Sequence, residues 1–210
     1  MTAALADGLT ALEMHADAAA QATLSQYLAL LDKWNRTHNL TAIRDPKQMV
    51  THHLLDSLAA LEHLPDRVSL RVLDMGSGGG LPGIPLAIAR PEWRVVLLDS
   101  NQKKAVFLRQ AVIELKLANV EVCAVRVQDY EVDPLFDVVI SRAFSDLASF
   151  ASLGRRLVAS GGWLVAMKGL FPHEELQQVP ADVRVVSVPP VRVPGLDVQR
   201  HLVIMEPQPA

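Results

Sequence analysis

The chain has 210 residues, half of them apolar and a fifth charged, which suffices for one substantial core and little beyond one catalytic domain with an appendage. Its 20 lysines and arginines against 23 aspartates and glutamates give a formal net charge of -3, which excludes a protein that wraps nucleic acid over its whole surface. There is no leader-like N-terminus or membrane-length apolar stretch, and the single Cys123 cannot form an internal disulfide, so we expect a cytoplasmic protein.

The first third of the chain is predicted to be helical. Apolar residues recur at steps of three and four over residues 18–34 and again over residues 46–61, where Asp45 is placed as the cap and Pro46 in the first turn. We therefore predict a helical N-terminal extension over residues 1–65 and a second unit over residues 66–210.

One segment of this extension, residues 33–53, is locally cationic and is the candidate for contact with RNA phosphates. Its charged residues are Lys33, Arg36, Arg44 and Lys47 against Asp45 alone. An ordinary solvated helix face fits this composition equally well, and Trp34 can either stack on a base or pack in the core. The adjacent His52 and His53 point about 100° apart on a helix and have no acidic or thiolate partner at ligand spacing, so we predict no metal site.

From residue 66 onward, short runs rich in Val, Leu and Ile alternate with helical segments, a pattern typical of a doubly wound α/β sheet with helices on both faces. The predicted strands are 70–75, 94–99, 120–127, 136–141, 163–168, 184–188 and 201–205. Only a proline-rich stretch separates the last two, so we predict a hairpin that adds an antiparallel edge to a mostly parallel, Rossmann-like sheet.

The first predicted strand ends in a glycine-rich loop, residues 74–83, in which closely spaced glycines let the backbone approach a ligand. Gly78, Gly80 and Gly83 satisfy the dinucleotide pattern, which places a pyrophosphate at a helix N-terminus. A competing pattern is met by Asp74, Gly76, Gly78 and Gly80. Its carboxylate repels a pyrophosphate but suits the ammonium group of a methionine moiety, so the loop favours S-adenosylmethionine over NAD.

The ends of the next two strands supply further candidate contacts to an adenosyl group. Asp99 ends the second strand and can accept hydrogen bonds from both ribose hydroxyls, in NAD and in S-adenosylmethionine alike. At the end of the third strand, Val127, Gln128 and Asp129 are placed to meet the adenine, although a solvated strand end has the same pattern.

The fourth strand ends at Ser141-Arg142, where the methyl acceptor is expected. The Asn/Asp-Pro-Pro-aromatic tetrapeptide typical of attack on exocyclic amines does not stand there, and Cys123 falls in a predicted buried strand, which disfavours a cysteine nucleophile. An acceptor with its own lone pair, such as a purine N7, needs orientation more than a catalytic acid or base. Arg142 and Lys168 are the candidate acceptor contacts, each with a surface ion pair as the alternative.

Several ordered motifs resemble the glucose-inhibited division protein B family, also called ribosomal RNA small subunit methyltransferase G. They are Trp34-Asn35, Asn39-Leu40-Thr41, Arg44-Asp45-Pro46, His53-Leu54-Leu55-Asp56-Ser57, the glycine loop with Leu81-Pro82-Gly83-Ile84-Pro85-Leu86, Leu97-Leu98-Asp99-Ser100, Phe107-Leu108-Arg109-Gln110, Val139-Ile140-Ser141-Arg142-Ala143 and Arg200-His201-Leu202. The resemblance covers nearly the whole chain and is far more specific than the loop alone.

The resemblance implies a class I methyltransferase that transfers a methyl group from S-adenosylmethionine to N7 of a guanine in 16S ribosomal RNA, with that RNA or the small ribosomal subunit as partner. The contacts that it implies with the cofactor are Gly76, Leu81, Val127, Gln128 and Arg142. To these the chemistry of the loop adds Asp74, Gly78 and Asp99. The sequence is compatible with a monomer, and the alternatives are a methyltransferase of another RNA or small molecule and an NAD-dependent oxidoreductase.

Overall fold

Helices make up the first third of the computed structural model, which describes residues 2–208. The first two are α1 (Thr2–Ala11) and α2 (Ala18–His38). A continuous composite helix follows, made of α3 (Pro46–Met49), a π-helical turn (Val50–Leu55), α4 (Asp56–Leu58) and a 3-10 turn (Ala59–His63). Among residues 2–208 no helix combines the length and the apolar character that crossing a membrane requires.

Capping residues set the bounds of these helices. The Asp17 side chain accepts a hydrogen bond from the amide of Ala20 at the start of α2, and Asn39 ends that helix in the left-handed conformation, at φ +50°. The predicted cap at Asp45 is confirmed, because its carboxylate accepts from the Lys47 amide at 2.9 Å. α1 lies outside the predicted elements, and it buries Leu5 and Leu9 one turn apart.

A single seven-stranded sheet follows the helical region. Its strands are β1 (Arg71–Met75), β2 (Arg94–Leu98), β3 (Val120–Cys123), β4 (Phe136–Arg142), β5 (Val158–Lys168), β6 (Val183–Ser187) and β7 (His201–Pro207). The spatial order is β3-β2-β1-β4-β5-β7-β6, with β1 to β5 parallel. The remaining helices are α5 (Gly83–Ala89), α6 (Gln102–Glu114), α7 (Leu147–Gly154) and α8 (His173–Leu176). The predicted Rossmann-like α/β fold is confirmed.

The predicted antiparallel hairpin at one edge of the sheet is confirmed: β6 and β7 pair antiparallel, β7 also pairs antiparallel with β5, and β6 is the edge strand. The predicted third strand is too long, because it ends at Cys123 and Val127 begins a short 3-10 turn. Because β3 is itself an edge strand, Cys123 is half-buried and not enclosed, and burial raises the pKa of its thiol.

The two faces of the sheet carry separate apolar clusters, because successive residues of a strand point to opposite sides. On one face Leu73 and Met75 of β1 belong to the cluster that includes Phe150 of α7. On the other face Val72 joins a cluster that contains residues of α1, α2, α5 and α6. The N-terminal helices therefore share a continuous core with the sheet, and they lie on the face that also carries the helix following the glycine loop.

Candidate active site

The turn after β1 requires glycine at three positions. Gly76, Gly78 and Gly80 have φ values of +81°, +57° and +87°, in the left-handed region that residues with a Cβ rarely adopt. At Gly80 a Cβ would also lie 2.5 Å from Ile84 Cδ1. At Gly83, the first residue of α5, a Cβ would lie 2.3 Å from Leu97 Cδ2, so this glycine allows the helix to pack closely on the sheet.

Asp99 ties the end of β2 to this turn. Its Oδ2 accepts a hydrogen bond from the Gly78 amide at 2.8 Å, and its Oδ1 accepts one from the Asn101 amide at the same distance. The residue is 8% exposed. A carboxylate has about four lone-pair positions, so two remain to accept bonds from the hydroxyls of a ribose.

A first cavity, of about 350 Å³, opens beside the turn. Its lining includes Gly76, Asp99, Ser100, Val127, Gln128 and Phe144. Four of the predicted cofactor contacts thus converge on one space, because the carboxyl ends of β1, β2 and β3 meet at the same edge of the sheet. The backbone turn, the carboxylate and the apolar ring of Phe144 fit an adenosyl group.

Two further predicted contacts lie beneath the turn and not at the cavity surface. Leu81 is 4% exposed and packs in the core. Asp74 is fully buried, and its Oδ2 accepts from the Gly83 amide at 2.9 Å, whereas its Oδ1 has no hydrogen-bond partner. Burial raises the pKa of this carboxyl to about 7. Asp74 therefore holds the turn to α5, and its contact with a methionine ammonium stays a prediction.

Arg142 joins β4 to the helical region through a buried ion-pair network. Its Nη1 donates to the backbone oxygen of His52 at 2.9 Å and lies 3.3 Å from Asp56 Oδ2. The other carboxylate oxygen of Asp56 accepts from Arg200 Nε at 2.8 Å. Arg142 does form an ion pair, as the alternative proposed, but the pair is largely buried, because the side chains of Arg142 and Asp56 are only 22% and 5% exposed. A contact of Arg142 with the acceptor stays a prediction.

This network lines a second cavity, of about 470 Å³. The composite helix and the segment before it contribute Thr41, His53 and Asp56; the ends of β4 and β5 contribute Arg142 and Lys168; the start of β7 adds Arg200 and His201. Lys168 Nζ lies 2.7 Å from Glu175 Oε2, and its side chain is 14% exposed. Both candidate acceptor contacts therefore face one space, which three separate parts of the chain enclose.

His53 is a buried, neutral member of that lining. It is 3% exposed, its Nε2 lies 2.9 Å from Thr41 Oγ1, and its Nδ1 has no hydrogen-bond partner. Burial and the nearby charge of Arg142 lower the pKa of the imidazole to about 4. Among the described residues, no cluster of three or more His, Cys, Asp and Glu side chains is arranged to hold a metal ion.

Helix α2 contacts both the glycine turn and the second cavity. The buried hydroxyl of Tyr27 donates to the backbone oxygen of Gly79 at 2.7 Å. Two turns further along, Asn35 Oδ1 accepts from the amide of Thr41 at 2.9 Å and so fixes the segment that lines the second cavity. The alternative that Trp34 packs in the core is supported, because its ring centroid lies 5.7 Å from that of Phe107.

Neighbouring residues at the end of β4 and in the turn that follows it line the two cavities. Arg142 and Ala143 line the second cavity, and Phe144 lines the first. Ala143 has φ +62°, a conformation uncommon for a residue with a Cβ, and such backbone geometry is concentrated at functional sites. The two cavities therefore adjoin the same three consecutive residues.

The comparison with known proteins agrees with this geometry. A family model described as rRNA small subunit methyltransferase G matches residues 20–203. The chain is 53% identical to the ribosomal RNA small subunit methyltransferase G of Nitrosospira multiformis, over 96% of this chain and 95% of that protein. It is also 53% identical to the protein of that name from Chromobacterium violaceum, over 97% of each chain.

The chain belongs to the rRNA small subunit methyltransferase G family. The predicted family, enzyme class and methyl donor, S-adenosylmethionine, are therefore confirmed, and the NAD-dependent alternative is wrong. Among solved structures, TrmN from Thermus thermophilus superimposes with a TM-score of 0.56 at 19% identity, over 72% of this chain and 48% of that chain. This similarity supports the fold alone.

The residue patterns alone did not indicate three residues of the site, Asp56, Arg200 and Tyr27. Asp56 lies in an apolar helical run, where a lone charge is typical of a solvated face, and Arg200 follows a proline-rich loop. Tyr27 is one of the periodic apolar positions of α2, and nothing in its spacing indicates that its hydroxyl reaches the glycine turn. Asp56 and Arg200 do lie within motifs that resemble the family, which was the available signal.

Proposed function

We propose that the chain transfers the methyl group of S-adenosylmethionine to N7 of a guanine in 16S ribosomal RNA, and that the transfer takes place where the two cavities meet. The observation that carries this proposal is the turn at residues 142–144, which lines the second cavity with Arg142 and Ala143 and the first with Phe144. Methyl transfer needs donor and acceptor in direct contact, and adjacent cavities supply that arrangement.

In this proposal the first cavity holds the adenosyl part of the cofactor. The carboxylate of Asp99 accepts bonds from the ribose hydroxyls, and the turn at Gly76 and Gly78 lets the backbone approach the ligand. Val127 and Gln128 border the adenine. Arg142, whose guanidinium lies between the composite helix and the sheet, contacts the cofactor from the side of the second cavity.

The second cavity receives the guanine. When bound, S-adenosylmethionine supplies a sulfonium-linked methyl group, which passes to the N7 lone pair while the S–C bonding pair stays on sulfur and the positive charge moves to the purine. No proton has to be removed from N7, so the residues of the chain orient and desolvate the base and need not act as acid or base. Arg142 and Lys168 border that base in this proposal.

We propose that the helical region, residues 1–65, also contacts the RNA around the target base. Its exposed lysines and arginines in residues 33–53 offer charge for phosphates, although Arg36 is paired with Asp32 at 3.1 Å. We further propose a monomer as the active form. The RNA substrate and the single cysteine support a cytoplasmic location.

The deciding experiment is transfer of a radiolabelled methyl group from S-adenosylmethionine to small ribosomal subunits that lack their native modification, with base-resolved mapping of the product. Label on N7 of one guanine is the expected result. Label on another atom or another RNA would overturn the acceptor assignment. If calorimetry detects cofactor binding but no methyl group is transferred, the assignment of the first cavity stands and that of the second is wrong.

A further inference from the structure

Asp56 differs from the other charged residues around the second cavity. Among the described residues that line this cavity, it is the single acid, against the cations Arg142, Lys168 and Arg200. It is 4% exposed, so its carboxylate has been removed from bulk water at a site whose remaining open side is the cavity. An acid in that position carries a cost of desolvation, which its two arginine partners offset.

The carboxylate still has capacity to bind a ligand. Oδ2 lies 3.3 Å from Arg142 Nη1, and Oδ1 accepts from Arg200 Nε at 2.8 Å. These contacts occupy one lone-pair position on each oxygen, and each oxygen can accept a second bond. Two arginines thus fix the carboxylate in orientation, while it keeps two acceptor positions for a planar group with two parallel donors.

Guanine is such a group. Its N1–H and one N–H of its N2 amine point the same way along one edge, and a carboxylate matches them with two parallel bonds. O6 lies next to N1, and N7 lies beyond O6. The order of the protein groups is the same, because Asp56 contacts Arg142, and Arg142 begins the turn that leads to the first cavity.

We propose that Asp56 selects guanine in the second cavity by accepting hydrogen bonds from its N1 and N2, with Arg142 donating to O6 and N7 turned towards the first cavity. This inference rests on the proposed function. Adenine has no hydrogen on N1 and no amine at C2, so it leaves the carboxylate without donors and is rejected. Methylation of N7 also places a positive charge on the purine, and a fixed carboxylate at its edge stabilises that charge.

The test compares small subunits reconstituted with guanosine or with inosine at the position that the unchanged enzyme methylates. Inosine keeps N7, O6 and N1–H and lacks only the N2 amine. We expect the unchanged enzyme to lose about 10- to 100-fold in kcat/KM on inosine, the loss of one hydrogen bond to a charged acceptor. Equal kcat/KM on the two substrates would overturn the proposal without any variant.

Two variants then test whether the preference for guanosine depends on the carboxylate of Asp56. Asp56→Asn keeps the size of the side chain and replaces one acceptor oxygen by a donor, so we expect the guanosine-to-inosine ratio to collapse to within about twofold. Arg200→Ala removes a neighbour of Asp56 but keeps the carboxylate, so the preference for guanosine should persist. A preference that survives in Asp56→Asn, or that is lost equally in both variants, would overturn direct recognition.

The outcomes separate this inference from the proposed function. If the unchanged enzyme does not methylate guanosine at all, the proposed function fails. If it methylates guanosine and inosine alike, only the role of Asp56 fails. Circular dichroism and thermal unfolding show whether each variant is folded. Calorimetry with S-adenosylmethionine shows in addition whether the first cavity, whose lining does not include Asp56 or Arg200, still binds.

Discussion

At the scale of single residues, two buried carboxylates support the site in opposite ways. Asp99 keeps acceptor positions open at the first cavity, whereas Asp74 is fully enclosed, and one of its oxygens has no partner. The first is suited to bind a ligand and the second to hold the turn. A substitution at Asp99 should therefore change cofactor affinity, and one at Asp74 should change the stability of the fold.

Asp99→Ala should weaken cofactor binding by about 10-fold or more, because each ribose hydroxyl loses a charged acceptor. Calorimetric titration with S-adenosylmethionine measures this directly. Lys47→Ala, an exposed substitution in the cationic segment, is the matched comparison and should lower affinity for the small subunit while leaving cofactor affinity unchanged. Equal losses of cofactor affinity in the two variants would contradict this division of roles.

Asp74 should make the folded state less stable as pH rises. Its pKa is about 7 in the folded chain against an ordinary value of 3.8, so above pH 4 the unfolded chain loses this proton first. The stability present at lower pH is lost progressively up to about pH 7, by roughly 4 kcal/mol in all. Asp74→Asn removes this dependence.

Chemical unfolding of Asp74→Asn and of the unchanged chain from pH 4 to pH 8 gives the measurement. The free energy of unfolding of the variant, relative to the unchanged chain, should rise across that range. The two proteins have to be compared because His53 also titrates in this range. Its pKa is lowered from 6.5 to about 4, so its contribution makes the free energy of unfolding rise with pH between those values, opposite to that of Asp74. A constant difference between the two proteins would show that Asp74 titrates normally.

At the scale of helices and strands, strong apolar periodicity predicted the helices well, whereas the ends and the order of the strands were harder to predict. The start of α2 and the cap at Asp45 were predicted correctly. The third strand was predicted too long because Val125 and Val127 continue its apolar alternation, yet Val125 is 41% exposed beyond the end of an edge strand. The position of β7 inside the sheet follows from pairing on both its sides, which no local pattern expresses.

The same limit applies to the site. The turn at residues 74–83 and Asp99 were found from spacing, because their backbone requirements are local. Asp56 and Arg200 are 144 positions apart in the chain and meet through one hydrogen bond. Their contact depends on how the composite helix packs against the start of β7, and it could be inferred only from a resemblance to proteins with the same fold.

Tyr27→Phe should show that α2 supports the glycine turn. It removes the donor to the Gly79 oxygen and leaves a buried acceptor unsatisfied, which costs about 1–3 kcal/mol of stability. We also expect weaker cofactor binding, because Gly79 lies within the turn. Tyr130→Phe, at the far end of the sheet beside Phe136, is the comparison and should leave cofactor affinity unchanged. Unchanged affinity in both variants would exclude a role for the Tyr27 hydrogen bond in cofactor binding.

At the scale of the whole molecule, a net charge of -3 has to be reconciled with an RNA substrate. The exposed cations of residues 33–53 lie on the helical region that also encloses the second cavity. RNA contact is therefore expected over a limited area, with few phosphates neutralised. Much of the affinity for the RNA then has to come from recognition of the shape of the RNA and from contacts with the target base.

This arrangement predicts a shallow dependence of binding on salt. The logarithm of the affinity for small subunits should fall linearly with the logarithm of salt concentration, and Lys47→Ala should reduce the slope by about one. Lys116→Ala, at an exposed site between α6 and the edge strand β3, should leave the slope unchanged. Equal slopes in the Lys47→Ala variant and the unchanged chain would place the phosphate contacts elsewhere.

Helix α2 holds the glycine turn through Tyr27 and the wall of the second cavity through Asn35. The two sites are thus linked by one helix, and a displacement of α2 would change the walls of both. Any coupling of the two binding equilibria through this helix is reciprocal: by whatever factor the cofactor changes the affinity for RNA, RNA changes the affinity for the cofactor. If RNA binding raises the affinity for the cofactor, the demethylated cofactor would dissociate fastest once the enzyme has dissociated from the subunit.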